Sequence, residues 1–181
     1  MSICGADGPR LSPVTLVLGG ARSGKSRHAE RFVEAAARCG TYLATAEAGD
    51  AEMAERITAH RARRGPFWRT LEEPLALASA IAAHAEGARP ILVDCLTLWL
   101  SNLIFAGKQA DEEAGVLCGA LRKAAGVVVL VSNEVGIGLV PDTPLGRHFR
   151  DAAGRLNQEI AALADRVVFI AAGLPLVLKE G

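Results

Sequence analysis

The sequence predicts an α/β fold with a mostly parallel central sheet flanked by helices, and three observations predict it. Short, continuously apolar runs recur along the chain, as strands covered on both faces require. Stretches with helical spacing lie between those runs, and strand–helix alternation implies parallel strands joined by right-handed crossovers. The first run, Val14–Leu18, passes directly into a glycine-rich loop and then into Ser26–Arg38, rich in the helix formers Ala, Arg and Glu.

The later apolar runs are Tyr42–Thr45, Ile91–Val93, Val127–Ser132, Val167–Ile170 and a short last one at Leu176–Leu178. The further helical stretches are Asp50–Arg64, Pro74–His84, Asp111–Ala124 and Leu145–Ala164. Ligands of parallel sheets bind beyond the carboxyl ends of the strands. Chemistry is therefore expected in the glycine loop, at Ala46–Glu47, Asp94–Thr97 and Asn133–Pro141, and at Ala172–Pro175. Polar residues and glycine concentrate in these segments.

Bulk properties narrow the function. The chain has 181 residues, enough for one domain that buries on the order of 70% of its unfolded surface. A catalytic domain is expected over 13–181, behind a flexible lead over 1–12. Half the residues are hydrophobic and only 4% aromatic, so the core must be aliphatic. Twenty basic and twenty acidic residues cancel, which argues against a dedicated nucleic-acid partner. Cys4, Cys39, Cys95 and Cys118 are scattered without a C-x-x-C pair, and reduced, buried thiols are expected. No apolar run approaches the ~20 residues of a membrane span, and the first residues carry no apolar signal core. These features together suggest a cytoplasmic protein.

Gly19-Gly20-Ala21-Arg22-Ser23-Gly24-Lys25-Ser26 matches the phosphate-loop pattern G-x-x-x-x-G-K-[ST]. Glycines let backbone N–H groups converge on phosphate oxygens, Lys25 adds a point charge, and the Ser26 hydroxyl is a magnesium ligand. This motif resembles that of the P-loop NTPases, which implies a RecA-like topology and a nucleoside polyphosphate such as GTP or ATP with magnesium as cofactor. Asp94 ends the run Ile91-Leu92-Val93, where an acidic residue organises the metal shell, directly or through water; a helix cap is the plainer alternative.

Arg56, His60 and Arg64 are spaced by four and share a helix face, with Arg61 and Arg63 close by. Surrounding positive charge keeps such an imidazole neutral, and a neutral imidazole attacks phosphorus. From spacing alone a solvated histidine is the commoner outcome. A buried Glu72 would offer a carboxylate to guanine N1–H and its exocyclic amine, although a surface acid, or helix N-terminal charge ahead of Pro74, is the cheaper explanation. Glu134 lies in a loop typical of substrate or switch segments. His28, His84 and His148 read as helix-surface residues.

The pieces together resemble one family, the bifunctional adenosylcobinamide kinases and adenosylcobinamide-phosphate guanylyltransferases of cobalamin biosynthesis. The resemblance runs from Val14 to Lys179. It is carried by Gly19–Glu30, Tyr42–Ala46, Arg56-Ile57-x-x-His60, Trp68-Arg69-Thr70-x-Glu72, Val93–Thr97, Ser132-Asn133-Glu134-Val135-Gly136, and Phe149-Arg150-Asp151 with Gly154-x-Leu156-Asn157-Gln158. It implies that His60 becomes guanylylated and is catalytic together with Lys25. It further implies that Gly19–Ser26, Ala44, Thr45, Ala46, Arg61, Ala62, Arg63, Arg64, Glu72 and Asp94 bind nucleotide, with Ser26 and Asp94 at the metal. The implied partners are a corrinoid and a nucleoside triphosphate, and the implied assembly is a homotrimer. The rival readings are a simpler P-loop kinase of a small metabolite and a nucleotide switch or motor subunit.

Overall fold

The computed structural model describes residues 11–47, 55, 58, 61, 62, 64–85, 87 and 89–181. Seven strands form one sheet: β1 (Val14–Gly19), β2 (Gly40–Ala44), β3 (Trp68–Glu72), β4 (Ile91–Asp94), β5 (Val128–Asn133), β6 (Arg166–Ala171) and β7 (Leu174–Glu180). Their spatial order is β3-β2-β4-β5-β1-β6-β7, and all neighbours are parallel except β6 and β7. The helices are α1 (Lys25–Ala36), α2 (Leu77–His84), α3 (Leu96–Phe105), α4 (Ala110–Lys123) and α5 (Pro144–Leu163).

The apolar runs are continuous because each strand feeds two cores. On one face Leu16, Leu18, Leu43, Val93 and Leu130 pack with Leu77 of α2, Trp99 of α3, Leu117 of α4 and Ile160 of α5. On the other face Val17, Tyr42, Leu92, Val129 and Val131 meet Ala29 and Val33 of α1. Successive strand residues point to opposite faces, so a two-sided sheet needs apolar side chains at every position. Among the described residues no helix is long and apolar enough to cross a membrane.

Helix ends follow local chemistry. Thr143 caps α5 by accepting from the Gly146 N–H at 3.1 Å, with Pro144 in the first turn. Asp111, Glu112 and Glu113 open α4, and Arg122 and Lys123 close it, matching its dipole.

Three elements depart from expectation. α3 was not anticipated: Leu96–Phe105 is almost wholly apolar because both its sides are covered, which erases the helical period. β3 is a short edge strand in which only Trp68 is buried, too mixed to announce itself. β7 is longer than Leu176–Leu178 and runs antiparallel, with every residue exposed. The cysteines divide as well. Cys95 and Cys118 are free and buried as expected, whereas Cys39, half-buried in the turn between α1 and β2, is disulfide-bonded. The lead up to residue 10, Cys4 and most of the expected helix Asp50–Arg64 lie outside the described residues; Glu55, Thr58, Arg61 and Ala62 are helical.

Gly19 is fixed by its neighbours. A Cβ there would lie 2.5 Å from Ser23 Oγ and 2.7 Å from the Ile170 carbonyl oxygen, and that carbonyl belongs to a paired strand. Gly19→Ala is expected to cost about 1–3 kcal/mol through overpacking. The measurement is a lower urea midpoint at unchanged m-value.

Candidate active site

Register decides which residues meet. Glu72, Ala44 and Asp94 end β3, β2 and β4 level with one another, because Ala44 pairs with both Glu72 and Asp94. Asp94 is level with Val131, whereas Gly19 pairs with Asn133. The edge therefore steps outward by two residues, about 6.6 Å, between β4 and the β5–β1 pair. The phosphate loop rises from the higher step. Arg22 and Gly24 adopt left-handed φ angles of 55° and 93°, turning the chain back so that α1 begins at Lys25.

A cleft of about 410 Å³ lies over this edge. Its walls include Ala21, Arg22, Lys25 and Ser26 from the loop and helix start, Ala44, Ala46 and Glu72 from the strand ends, and Arg61 and Arg64. Asp94, Cys95, Tyr42, Leu98 and Asn133 complete it. Asp94 sits between two hydroxyls: Ser26 Oγ donates to Oδ1 at 3.3 Å and Tyr42 Oη to Oδ2 at 2.6 Å. Burial, then the Asp94 charge, pushes the Tyr42 phenol far above its ordinary value, so it remains a donor. The Arg64 guanidinium lies 3.5 Å above the centre of the Tyr42 ring, and Arg64 Nη1 donates to Thr70 Oγ1 at 3.4 Å. Lys25 Nζ reaches the Gly20 carbonyl at 3.3 Å, closing the loop on itself.

Apart from Gly19, Gly20, Ser23 and Gly24 of the loop itself, the sequence-predicted residues fall into three groups. Ala21, Arg22, Lys25, Ser26, Ala44, Ala46, Arg61, Arg64, Glu72 and Asp94 converge on the cleft. His60, Arg56 and Arg63 lie outside the described residues. The third group is placed differently. Ala62 is exposed and is not part of the cleft wall. Thr45, expected with Ala44 and Ala46 at the nucleotide, is fully buried and engaged within the protein. Its Oγ1 donates to the Cys95 carbonyl at 2.7 Å and accepts from the Cys95 N–H at 2.8 Å. Its N–H goes to the Asp94 carbonyl and its own carbonyl accepts from Asn102 Nδ2 at 2.8 Å. Thr45 locks the ends of β2 and β4 together. Glu72 is half-exposed and ion-paired with Arg61, as the surface-acid alternative has it, and still lines the cleft. His28 is half-buried and stacked on Phe32 rather than solvated; burial, then Arg166, lowers its pKa.

Two contributors were missed. Tyr42 read only as a strand residue, since its link to Asp94 spans 52 positions. Asn133 was placed in a loop of unassigned chemistry, but both its backbone groups are held: its N–H donates to Thr97 Oγ1 at 2.7 Å and its carbonyl accepts from Asn157 Nδ2 at 3.1 Å. Ser132 Oγ, donating to Asn157 Oδ1 at 2.7 Å, completes this buried network. Asn133 Oδ1 is shielded from solvent and has no partner. Glu134 turns back to accept from the Gly136 N–H at 2.7 Å. Cys95, at the cleft wall, has its thiol pushed up to about 11, by burial and then by Asp94.

A parallel sheet with this loop on its first strand and an acidic residue ending a nearby strand defines a P-loop NTPase-type α/β protein. The chain belongs to the family described as cobinamide kinase / cobinamide phosphate guanyltransferase, whose profile matches residues 15–178. It is 52% identical over 166 residues to the bifunctional adenosylcobalamin biosynthesis protein CobP of Pseudomonas aeruginosa, covering 91% of this chain and 96% of the relative. It is 41% identical over 179 residues to the bifunctional adenosylcobalamin biosynthesis protein CobU of Salmonella typhimurium, covering 91% of this chain and 98% of that one. Among solved structures it is similar to the ATPase EscN of the enteropathogenic Escherichia coli type III secretion system. There the TM-score is 0.58 at 12% identity, over 89% of this chain and 43% of the other, a likeness of fold alone.

Thr45→Val keeps the shape but leaves the buried Cys95 N–H without its partner, while the Cys95 carbonyl keeps the Trp99 N–H. A loss of about 1–3 kcal/mol is expected, read by chemical denaturation. An unchanged midpoint would show that the two strand ends are held by other means.

Proposed function

We propose that the chain transfers the γ-phosphoryl of ATP or GTP to the aminopropanol hydroxyl of adenosylcobinamide. It then transfers GMP from GTP to the resulting phosphate through a guanylyl-histidine on His60. The observation that carries this reading is one cleft flanked by the phosphate loop, by Asp94 and by Arg61 and Arg64, the described arginines nearest His60 in the chain. Family membership supplies the substrate class.

The donor set fits magnesium. Ser26 Oγ and Asp94 Oδ1 are hard oxygens 3.3 Å apart beside Lys25. Among the described residues there is no cluster of three or more His, Cys, Asp or Glu side chains suited to a metal. One carboxylate and one hydroxyl complemented by nucleotide phosphates is the usual arrangement for this ion. When bound, magnesium neutralises charge on the phosphate oxygens.

In the kinase step the loop amides and Lys25 hold the β- and γ-phosphates while the acceptor hydroxyl approaches in line. The new bond joins that oxygen to the γ-phosphorus, the bond to the β-phosphate oxygen breaks, and the hydroxyl proton leaves to water. In the second reaction the His60 imidazole attacks the α-phosphorus of GTP and pyrophosphate departs. The phosphate of adenosylcobinamide phosphate then displaces histidine, giving adenosylcobinamide-GDP. Arg61 and Arg64 meet the charge that develops on the phosphoryl oxygens. Glu72 is the guanine reader, exchanging its Arg61 partner for the base. The exposed apolar side chains of β7 (Leu174, Leu176, Val177 and Leu178) offer a surface for self-association, and a homotrimer is the assembly that the resemblance implies. A cytoplasmic location goes with this biosynthetic role.

His60→Ala is expected to abolish guanylyl transfer and largely spare phosphoryl transfer. Incubation with α-labelled GTP should leave acid-labile, base-stable label on the wild type, and label persisting on His60→Ala removes the assignment. No adduct on either protein favours a simple kinase. Lys25→Ala should slow both reactions, by about 10²–10³-fold, in steady-state assays; sparing both would break the shared-site reading.

A further inference from the structure

Among the described residues Tyr42 is the one aromatic ring in the cleft wall, and it touches both kinds of chemistry the cleft offers. It is fully buried although it carries a hydroxyl, and its ring is wedged edge-on against Trp68 at 5.6 Å and 88°. Trp68 is itself anchored by its Nε1–H donating to Glu34 of α1 at 2.8 Å. A ring held this way has little freedom at χ1 or χ2, so its two polar contacts are set by the fold. The hydroxyl ends 2.6 Å from Asp94 Oδ2, and the face lies under the Arg64 guanidinium.

We propose that Tyr42 is a positioning residue joining the two halves of the site: its hydroxyl orients the Asp94 carboxylate for the cation, and its ring holds Arg64 at the cleft. This rests on the metal reading of Asp94 given above. A carboxylate has two oxygens and several lone-pair directions. With Oδ2 occupied by the phenol, Oδ1 is left toward Ser26, so one oxygen of fixed direction faces the cation position. Outer partners of this kind orient metal-binding carboxylates. On the other side, stacking leaves the edge of the guanidinium available. Arg64 Nη1 reaches Thr70 and the side chain lines the cleft, where a guanidinium can meet a phosphate oxygen. The same ring thus fixes a cation ligand and an anion ligand.

The test uses full-length protein and Mn²⁺ as the probe, titrated by electron paramagnetic resonance with a non-hydrolysable GTP analogue. Circular dichroism at the titration temperature verifies that each variant is folded. Tyr42→Phe removes only the oxygen and is expected to weaken Mn²⁺ binding about tenfold. The magnesium dependence of phosphoryl transfer should shift by the same factor, with kcat recovered at saturating magnesium and KM for the corrinoid unchanged. Tyr42→Leu, which also removes the ring, should lose guanylyl transfer that magnesium does not restore. Asp94→Asn separates the two levels of the argument. If it weakens Mn²⁺ binding while Tyr42→Phe does not, the inference is overturned and the proposed function stands. If neither changes Mn²⁺ binding, the metal assignment fails and takes the inference with it. If magnesium rescues Tyr42→Leu as fully as Tyr42→Phe, the link to Arg64 is wrong.

Discussion

The site depends on the level at which neighbouring parallel strands end. A parallel sheet has no freedom to stagger once its hydrogen bonds are made, so pairing Ala44 with Glu72 and Asp94, and Gly19 with Asn133, sets the floor of the cleft in two steps. Short side chains on the lower step leave volume for a ligand, while the loop on the upper step curls over it. A slip of one residue in β4 would turn Asp94 to the opposite face and bury a carboxylate. The double hydrogen bond between Thr45 and Cys95 guards against that slip where it matters most.

Charge is then distributed locally against a neutral whole. The chain balances its acids and bases, yet Arg22, Lys25, Arg61 and Arg64 border one cleft against Asp94 and Glu72. Such a surplus draws an anion without making the entire surface cationic. The neighbouring Cys95 contributes no charge, because its buried thiol stays protonated.

Much of this was legible from residues alone. The glycine loop declares its own geometry, since only a strand, a tight turn and a helix start fit that spacing. The strand runs stood out because two-sided burial makes them uniformly apolar. The same uniformity hid α3, where apolar side chains on both the buried and the partly covered faces blur the period that distinguishes a helix. Thr45 was named by resemblance alone, because spacing gives a strand end but not the direction in which its side chain turns. Tyr42 stayed silent because its partners come from β4 and from the segment before β3, and only folding unites them. Family resemblance supplied what geometry does not reach here, the role of His60.

The segment from Asn133 to Thr143 has a mechanical consequence. At its start, Thr97 and Asn157 grip the Asn133 backbone. At its end, Arg147 holds the carbonyls of Pro141 and Asp142 at 3.0 and 2.8 Å, and Thr143 is committed to its cap. Between these clamps Ile137, Leu139 and Val140 stand in water. The span is a strap riveted at both ends, so its exposed apolar side chains are held close to the sheet edge and to the start of α5.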